Sequence, residues 1–257
     1  MKIIRDLSLA ISFLTILPIA PFSQSDEMIQ NKEDLAENFA NSMIYFPFVG
    51  LLIGAILVLF SHLIDYSSFS SFLNNALILL IWVCLSGGLH LDGFADMVDG
   101  FSGGNNKDDI LRIMKDSAIG AKGTIALFFI LLLKFVLLME IGLSIKLVTL
   151  LFVPALSRWS MIVAAFFGNP AYSENSMGQQ FMKYLGKKEL ILSTIIIIIP
   201  GIILFKFLFL ALLGITVTVI WILLKYSQRK IGGITGDILG ALNEIVELCC
   251  LLVICLF

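Results

Sequence analysis

The chain has 257 residues, 59% of them hydrophobic and only 14% charged, with a mean hydropathy of +1.00 and a formal net charge of −2. A soluble domain carries about a quarter of its residues as Asp, Glu, Lys or Arg. The composition therefore excludes a cytosolic enzyme, a disordered protein and a nucleic-acid binder, and predicts an all-α, polytopic membrane helix bundle whose electrostatic information lies in where its few charges sit.

At the start, Lys2 and Arg5 followed by the apolar stretch 7–20 look like a signal peptide's charged start and short apolar region. If that stretch crossed fully from a cytoplasmic N-terminus, every later loop would change sides and the basic loops would face outward. A retained interfacial or re-entrant helix, ended near Pro18 and Pro21, fits better. Beyond it, residues 43–63, 72–91, 121–142, 147–168 and 236–257 are each long and apolar enough to cross a hydrocarbon core of about 30 Å. The run 190–224 is too long for one crossing, is broken by Pro200, Gly201 and Gly214, and carries Lys206 near its middle. It reads as two short helices turning at 205–207. The result is about seven spans in a single membrane-embedded domain, residues 1–257.

Orientation follows from the basic residues, because short loops rich in Lys and Arg stay in the cytoplasm. With the loop after Leu91 inside, Lys32, Lys107, Arg112, Lys115, Lys122, Lys183, Lys187, Lys188, Lys225, Arg229 and Lys230 are cytoplasmic, and Lys146 and Lys206 are outside. The expectation is a multi-pass protein of the cytoplasmic (inner) membrane. Cys84, Cys249, Cys250 and Cys255 lie in apolar runs and read as lipid-buried thiols.

The informative stretch begins where the second span reaches the cytoplasmic face. Asp92, Asp96 and Asp99 stand at i, i+4 and i+7, so on a helix they share one face. Like charges so placed repel one another unless something positive neutralises them. A divalent cation does so economically, and hard oxygen ligands without a Cys or His set favour Mg²⁺ or Mn²⁺ over zinc. Asp116 is a candidate fourth carboxylate. Gly93, Gly100, Gly103 and Gly104 let the backbone bend and approach a ligand, and Arg112, Lys115 and Lys122 are placed to take phosphate oxygens that the metal does not, unless they only mark topology.

His90 is either a general base or a residue that orients a carboxylate, and His62, at the far end of its span, reads as interfacial. A second polar set is the cytoplasmic sequence GGITGD, residues 232–237, leading into a span with Asn243, Glu244 and Glu247. Carboxylates inside a membrane helix are functional candidates by default. Asp237 and Glu244 stand at i and i+7, and their face is expected to meet the aspartates. Asp237 would then join the metal or nucleotide site and Glu244 would contact the acceptor or orient a basic partner. The competing reading is an ion-pair network with Arg158 and Lys134, unless Lys134 snorkels towards the interface.

The pattern His-x-Asp-Gly-x-x-Asp-x-x-Asp-Gly over residues 90–100, then IMKDSAIGAKG over 113–123 and GGITGDILGALNE from 232, resembles the cobalamin synthase family, adenosylcobinamide-GDP ribazoletransferase. FLTILPIAP and YFPFVGLLIG extend the likeness over most of the chain. The resemblance implies a Mg²⁺-dependent membrane enzyme that joins adenosylcobinamide-GDP to α-ribazole or its 5′-phosphate and releases GMP, with Asp92, Asp96 and Asp99 as its acidic motif. An alternative is a CDP-alcohol phosphotransferase, whose aspartate motif opens like Asp96-x-x-Asp99-Gly100. That motif would continue with Ala-Arg where Gly103 and Gly104 stand, and would place later aspartates at Ser117 and Ala121. A cation-coupled transporter is the second alternative, for which Glu244 and Glu247 give thin support. The number of metal ions, the corrinoid-binding surface and the oligomeric state are left open by the sequence.

Overall fold

A computed structural model describes residues 2–18, 32–171 and 182–257. Its helices are α1 (Lys2–Leu14), α2 (Lys32–Ser42), α3 (Phe46–Asp65), α4 (Ser71–Leu85), α5 (Leu89–Gly103), α6 (Lys107–Ile113), α7 (Ala121–Glu140), α8 (Leu143–Phe167), α9 (Lys187–Phe205), α10 (Leu208–Ile231) and α11 (Gly236–Cys255). In lipid each backbone N–H and C=O must be satisfied within its own segment, which is why an apolar chain takes this form. Among the described residues, six helical stretches are long and apolar enough to cross a membrane, and there are seven if α4 and α5, bent by 84° at the break between them, are counted as one span.

The 13-residue α1 is too short to cross. Ala10 and Leu14 are fully buried where it packs on α2 and α3. It ends at Leu14, ahead of Pro18, while Pro21 lies outside the described residues.

Two expectations need correction. The crossing over 72–91 is not one straight helix: α4 stops at Leu85, Gly87 and Gly88 take φ of +61° and +71°, and α5 sets off at Leu89. Glycine reaches that left-handed backbone without the cost a Cβ imposes. The helices on either side of Lys206 are not short, at 19 and 24 residues, although they do turn at Lys206 and Phe207 as expected.

Helices α8 and α11 are the most enclosed, while α7, α9 and α10 present most of their surface outward. Lipid tails are as apolar as leucine, so close fit rather than water exclusion holds such helices together. Gly50 and Gly54, four residues apart, seat α3 on α8. A Cβ at Gly50 would lie 2.4 Å from the Pro154 carbonyl oxygen, and one at Gly54 would lie 2.2 Å from that of Leu151. On the other side of α8, Phe152 packs against the rings of Phe205 and Phe209 at the α9–α10 turn. Helices α5 and α11 also approach closely, since a Cβ at Gly93 would stand 2.8 Å from Asp237 Cα and one at Gly240 would stand 3.2 Å from His90 Cα. The helix ends and connections at one end of the bundle carry Lys107, Arg112, Lys115, Lys122, Lys187, Lys188, Lys225, Arg229 and Lys230, and those at the other carry Lys146 and Lys206.

Candidate functional site

The basic end of the bundle also holds the acidic face. The apolar run of α4 and the first turn of α5 ends at Leu91, and Asp99 lies level with the start of α7, so the aspartates stand at the edge of the bundle. Asp92 is exposed, Asp96 and Asp99 are half-buried, and their spacing sets them on one side of α5.

A fourth carboxylate comes from α11. After α10 the chain turns at Gly232, φ +76°, and Ile234 pairs with the segment following α8. Its N–H donates to the Asn169 carbonyl at 2.7 Å, and its carbonyl accepts from the Ala171 N–H at 2.9 Å. Gly233 is hemmed in here, because a Cβ would meet Asn169 O at 2.3 Å. The Thr235 hydroxyl then caps α11 by accepting from the Ile238 N–H at 3.3 Å. Asp237 thus enters the first turn of α11, where the helix's positive end favours a carboxylate, directly against Gly93 of α5.

Burial and the neighbouring carboxylates Asp92, Asp237 and Asp99 push the Asp96 carboxyl up to about 6. Among the described residues, none of these four forms an ion pair with Lys or Arg. Hard carboxylate oxygens with uncompensated charge are a donor set for Mg²⁺ or Mn²⁺. No three His, Cys, Asp or Glu side chains among the described residues converge on one ion-sized point. The arrangement therefore suits an ion taken by one or two carboxylates, with water and substrate phosphates completing its shell, which is the usual habit of Mg²⁺.

The other candidate residues are distributed unevenly. Asp99 accepts the Gly120 N–H at 2.7 Å and the Gly123 N–H at 2.8 Å. Asp116 is exposed between α6 and α7 and closes its own turn by accepting from the Ala118 N–H at 3.0 Å, so it is Asp237 that joins Asp92 and Asp99 as the third charge acting on Asp96. Lys122 donates to the Ser102 carbonyl at 2.7 Å, at the end of α5. Arg112 and Lys115 are exposed at the same end, with Arg112 3.4 Å from Asp109. The glycines serve packing more than ligand approach. A Cβ at Gly100 would strike Met114 at 2.5 Å, one at Gly104 would strike Ile110 at 2.5 Å, and one at Gly103 would lie 3.3 Å from Ile113, all of them seating α6 on α5.

His90 and Glu244 lie elsewhere. His90 is two residues from Asp92, on the opposite side of α5, with its ring 1% exposed and both nitrogens without a hydrogen-bond partner among the described residues. It meets no aspartate there, so neither role expected of it has a partner in this arrangement. Deeper in the bundle, Lys134 Nζ donates to Glu244 and, at 2.6 Å, to Glu247, while Arg158 and the Ser157 hydroxyl both donate to the other Glu247 oxygen. Lys134 is 3% exposed beside the Trp82 ring and does not snorkel. Glu244 thus belongs to this network, about 10 Å deeper than Asp237 by helical rise. Gly120 and Gly123 were missed in the sequence, although both stand in the IGAKG run that follows Asp116. Between α8 and α10 lies a cavity of about 320 Å³, walled by Phe167, Leu224 and Ile234 and rimmed by Asn169, Gln228 and Arg229.

Residues 6–255 match the family described as cobalamin-5-phosphate synthase. A relative from Desulforamulus reducens is 39% identical over 94% of this chain and 92% of its own length. One from Caldanaerobacter subterraneus subsp. tengcongensis is 35% identical over 96% of each, and one from Thermoanaerobacter sp. (strain X514) is 33% identical over 98% of this chain and 97% of its own. All three are named adenosylcobinamide-GDP ribazoletransferase. No solved structure matches the chain.

Proposed function

The chain belongs to the cobalamin-5-phosphate synthase family, and from that premise we propose that it is itself an adenosylcobinamide-GDP ribazoletransferase, with its chemistry at the acidic face of α5 and α11. The observation that carries the assignment to this place is the close approach of α11 to α5 at Gly93, which sets Asp237 beside the helix that bears Asp92 and Asp96, with none of the three paired to Lys or Arg among the described residues.

The reaction is a displacement at phosphorus. A ribose hydroxyl oxygen of α-ribazole, or of its 5′-phosphate, forms the new bond to phosphorus, the bond to the departing GMP oxygen breaks, and the hydroxyl proton passes to solvent. Bound Mg²⁺ would supply positive charge to the phosphoryl oxygens. One or two of Asp92, Asp96 and Asp237 would hold it, and the positive end of α11 favours phosphate next to them. Arg112, Lys115 and the cavity rim at Arg229 offer further cationic groups to the nucleotide phosphates. The same end faces the cytoplasm under the positive-inside rule, giving nucleotide substrates access. A cysteine at exposed Ser102 in a cysteine-free chain is expected to react with an impermeant thiol reagent only after the membrane is opened.

The CDP-alcohol alternative fails at Gly103, Gly104, Ser117 and Ala121, and the transporter alternative fails because Glu244 and Glu247 are consumed in ion pairs. The test is nucleotide release by purified protein. GMP is expected from adenosylcobinamide-GDP with α-ribazole, and no CMP from a CDP-lipid with an alcohol; the reverse result would overturn the proposal.

A further inference from the structure

The start of α7, next to the acidic face, is capped from outside its own sequence. Helices leave their first N–H groups without partners, and a Ser, Thr, Asp or Asn just before the helix usually supplies one. Before α7 stands Gly120, which has no side chain to offer. The acceptor arrives from α5: Asp99 Oδ2 takes the Gly120 N–H at 2.7 Å, and Asp99 Oδ1 takes the Gly123 N–H at 2.8 Å. Both glycines are cut to this carboxylate. A Cβ at Gly120 would stand 2.5 Å from Oδ1, and one at Gly123 would stand 2.3 Å from Oδ2. Gly120 has an ordinary extended backbone, φ −84° and ψ 168°, so its bareness answers to Asp99 and not to its own conformation.

Two consequences follow for the site. The Asp99 oxygens face the positive end of a 20-residue helix, which favours the carboxylate and disfavours a cation approaching from that side. And α7 is tied at its start to the helix that bears Asp92 and Asp96, and at Lys134 to the helix that bears Asp237. The geometry points to Asp99 as a positioning residue: it locks α7 onto α5 so that Asp92, Asp96 and Asp237 meet, and it is not a ligand that the cation requires. The kinetic consequence rests on the transferase reading, whereas the lock itself does not.

The test has a stability arm and a kinetic arm. In wild-type protein Gly120→Ala must push the Asp99 carboxylate off two N–H groups, and is expected to lower Tm in detergent by about 5 °C. In an Asp99→Ala background the three atoms nearest to that Cβ are gone, and the same substitution is expected to cost less than about 1 °C, since alanine also restricts the unfolded chain. Equal losses in both backgrounds would overturn the lock, whatever the protein catalyses. In the kinetic arm, Asp99→Asn is expected to lower kcat per folded molecule by about tenfold or more while the half-saturating Mg²⁺ concentration moves less than about threefold. Asp96→Asn should instead raise that concentration at least about tenfold. If Asp99→Asn raises it as far as Asp96→Asn does, Asp99 is a ligand and the inference is wrong. If kcat per folded molecule is unchanged, the lock positions nothing. Wild-type turnover without Mg²⁺ would sink the metal reading of the site but leave the Tm coupling between Gly120 and Asp99 intact.

Discussion

Two charged regions stand about 10 Å apart along α11 and are built on opposite plans. In the deeper one, Lys134 and Arg158 face Glu244 and Glu247, each carboxylate has a cationic donor, and Asn243 and Ser157 satisfy further oxygen sites. In the outer one, Asp92, Asp96 and Asp237 meet without a basic partner among the described residues. A membrane protein cannot leave charge buried and unpaired, so the inner region closes on itself and carries structure. A site for an exogenous cation and a polyphosphate must do the opposite, and keep its carboxylates uncompensated until the ligand arrives. The same residue type thus acquires different work from the sign of its neighbours.

The sharpest way to break this contrast is to neutralise one member of each region. Asp96→Asn keeps the shape of a carboxylate and removes its charge; GMP release per folded molecule is expected to fall by about 10²- to 10⁴-fold, with Tm no lower than wild type. Glu247→Gln should behave inversely. It leaves Arg158 and Lys134 short of a counter-charge in the interior, at a cost of about 3–5 kcal/mol, so that protein extracted from membranes is scarcer and melts earlier, while the folded fraction turns over within about threefold of wild type. A stable but inactive Glu247→Gln protein would move the inner region into the chemistry.

A smaller effect sharpens the outer region alone. The Asp96 carboxyl, near 6 instead of 3.8, binds a proton more tightly in the folded, cation-free protein than in the unfolded chain. Its contribution to stability is therefore present below about pH 4 and is lost as pH rises through 6, amounting to roughly 1 kcal/mol once solvent screening of a half-exposed group is allowed for. Melting in EDTA across that window should show a decline that Asp96→Asn lacks and that Mg²⁺ removes. Identical pH profiles for wild type and Asp96→Asn would contradict the shared field of the four carboxylates.

Much of this was legible in the sequence because lipid imposes so few choices. Run lengths located the crossings, and the turn at Lys206 was readable from Pro200, Gly201 and the charge itself. The i, i+4, i+7 spacing placed the three aspartates on one face, and the i, i+7 relation of Asp237 to Glu244 pointed α11 at them, though only Asp237 arrives. The failures share one cause. Asp116 and Asp237 are equally plausible fourth carboxylates along the chain, and only the Gly93 contact between α5 and α11 decides between them. The bend at Gly87 and Gly88 turns His90 inward, which a periodicity argument that assumes a straight span cannot foresee. Glycines cannot be sorted without knowing their neighbours: Gly50 and Gly54 admit a backbone, Gly100 and Gly104 admit α6, and Gly120 and Gly123 admit a carboxylate.

The central claim, that the uncompensated aspartates are the cation-dependent centre of the transferase, is tested most directly by titrating metal into chelated protein. With adenosylcobinamide-GDP and α-ribazole saturating, EDTA should abolish GMP release, and Mg²⁺ or Mn²⁺ should restore it along a saturation curve that Asp96→Asn shifts to higher concentration and α-ribazole does not. Undiminished GMP release in excess EDTA would contradict the account.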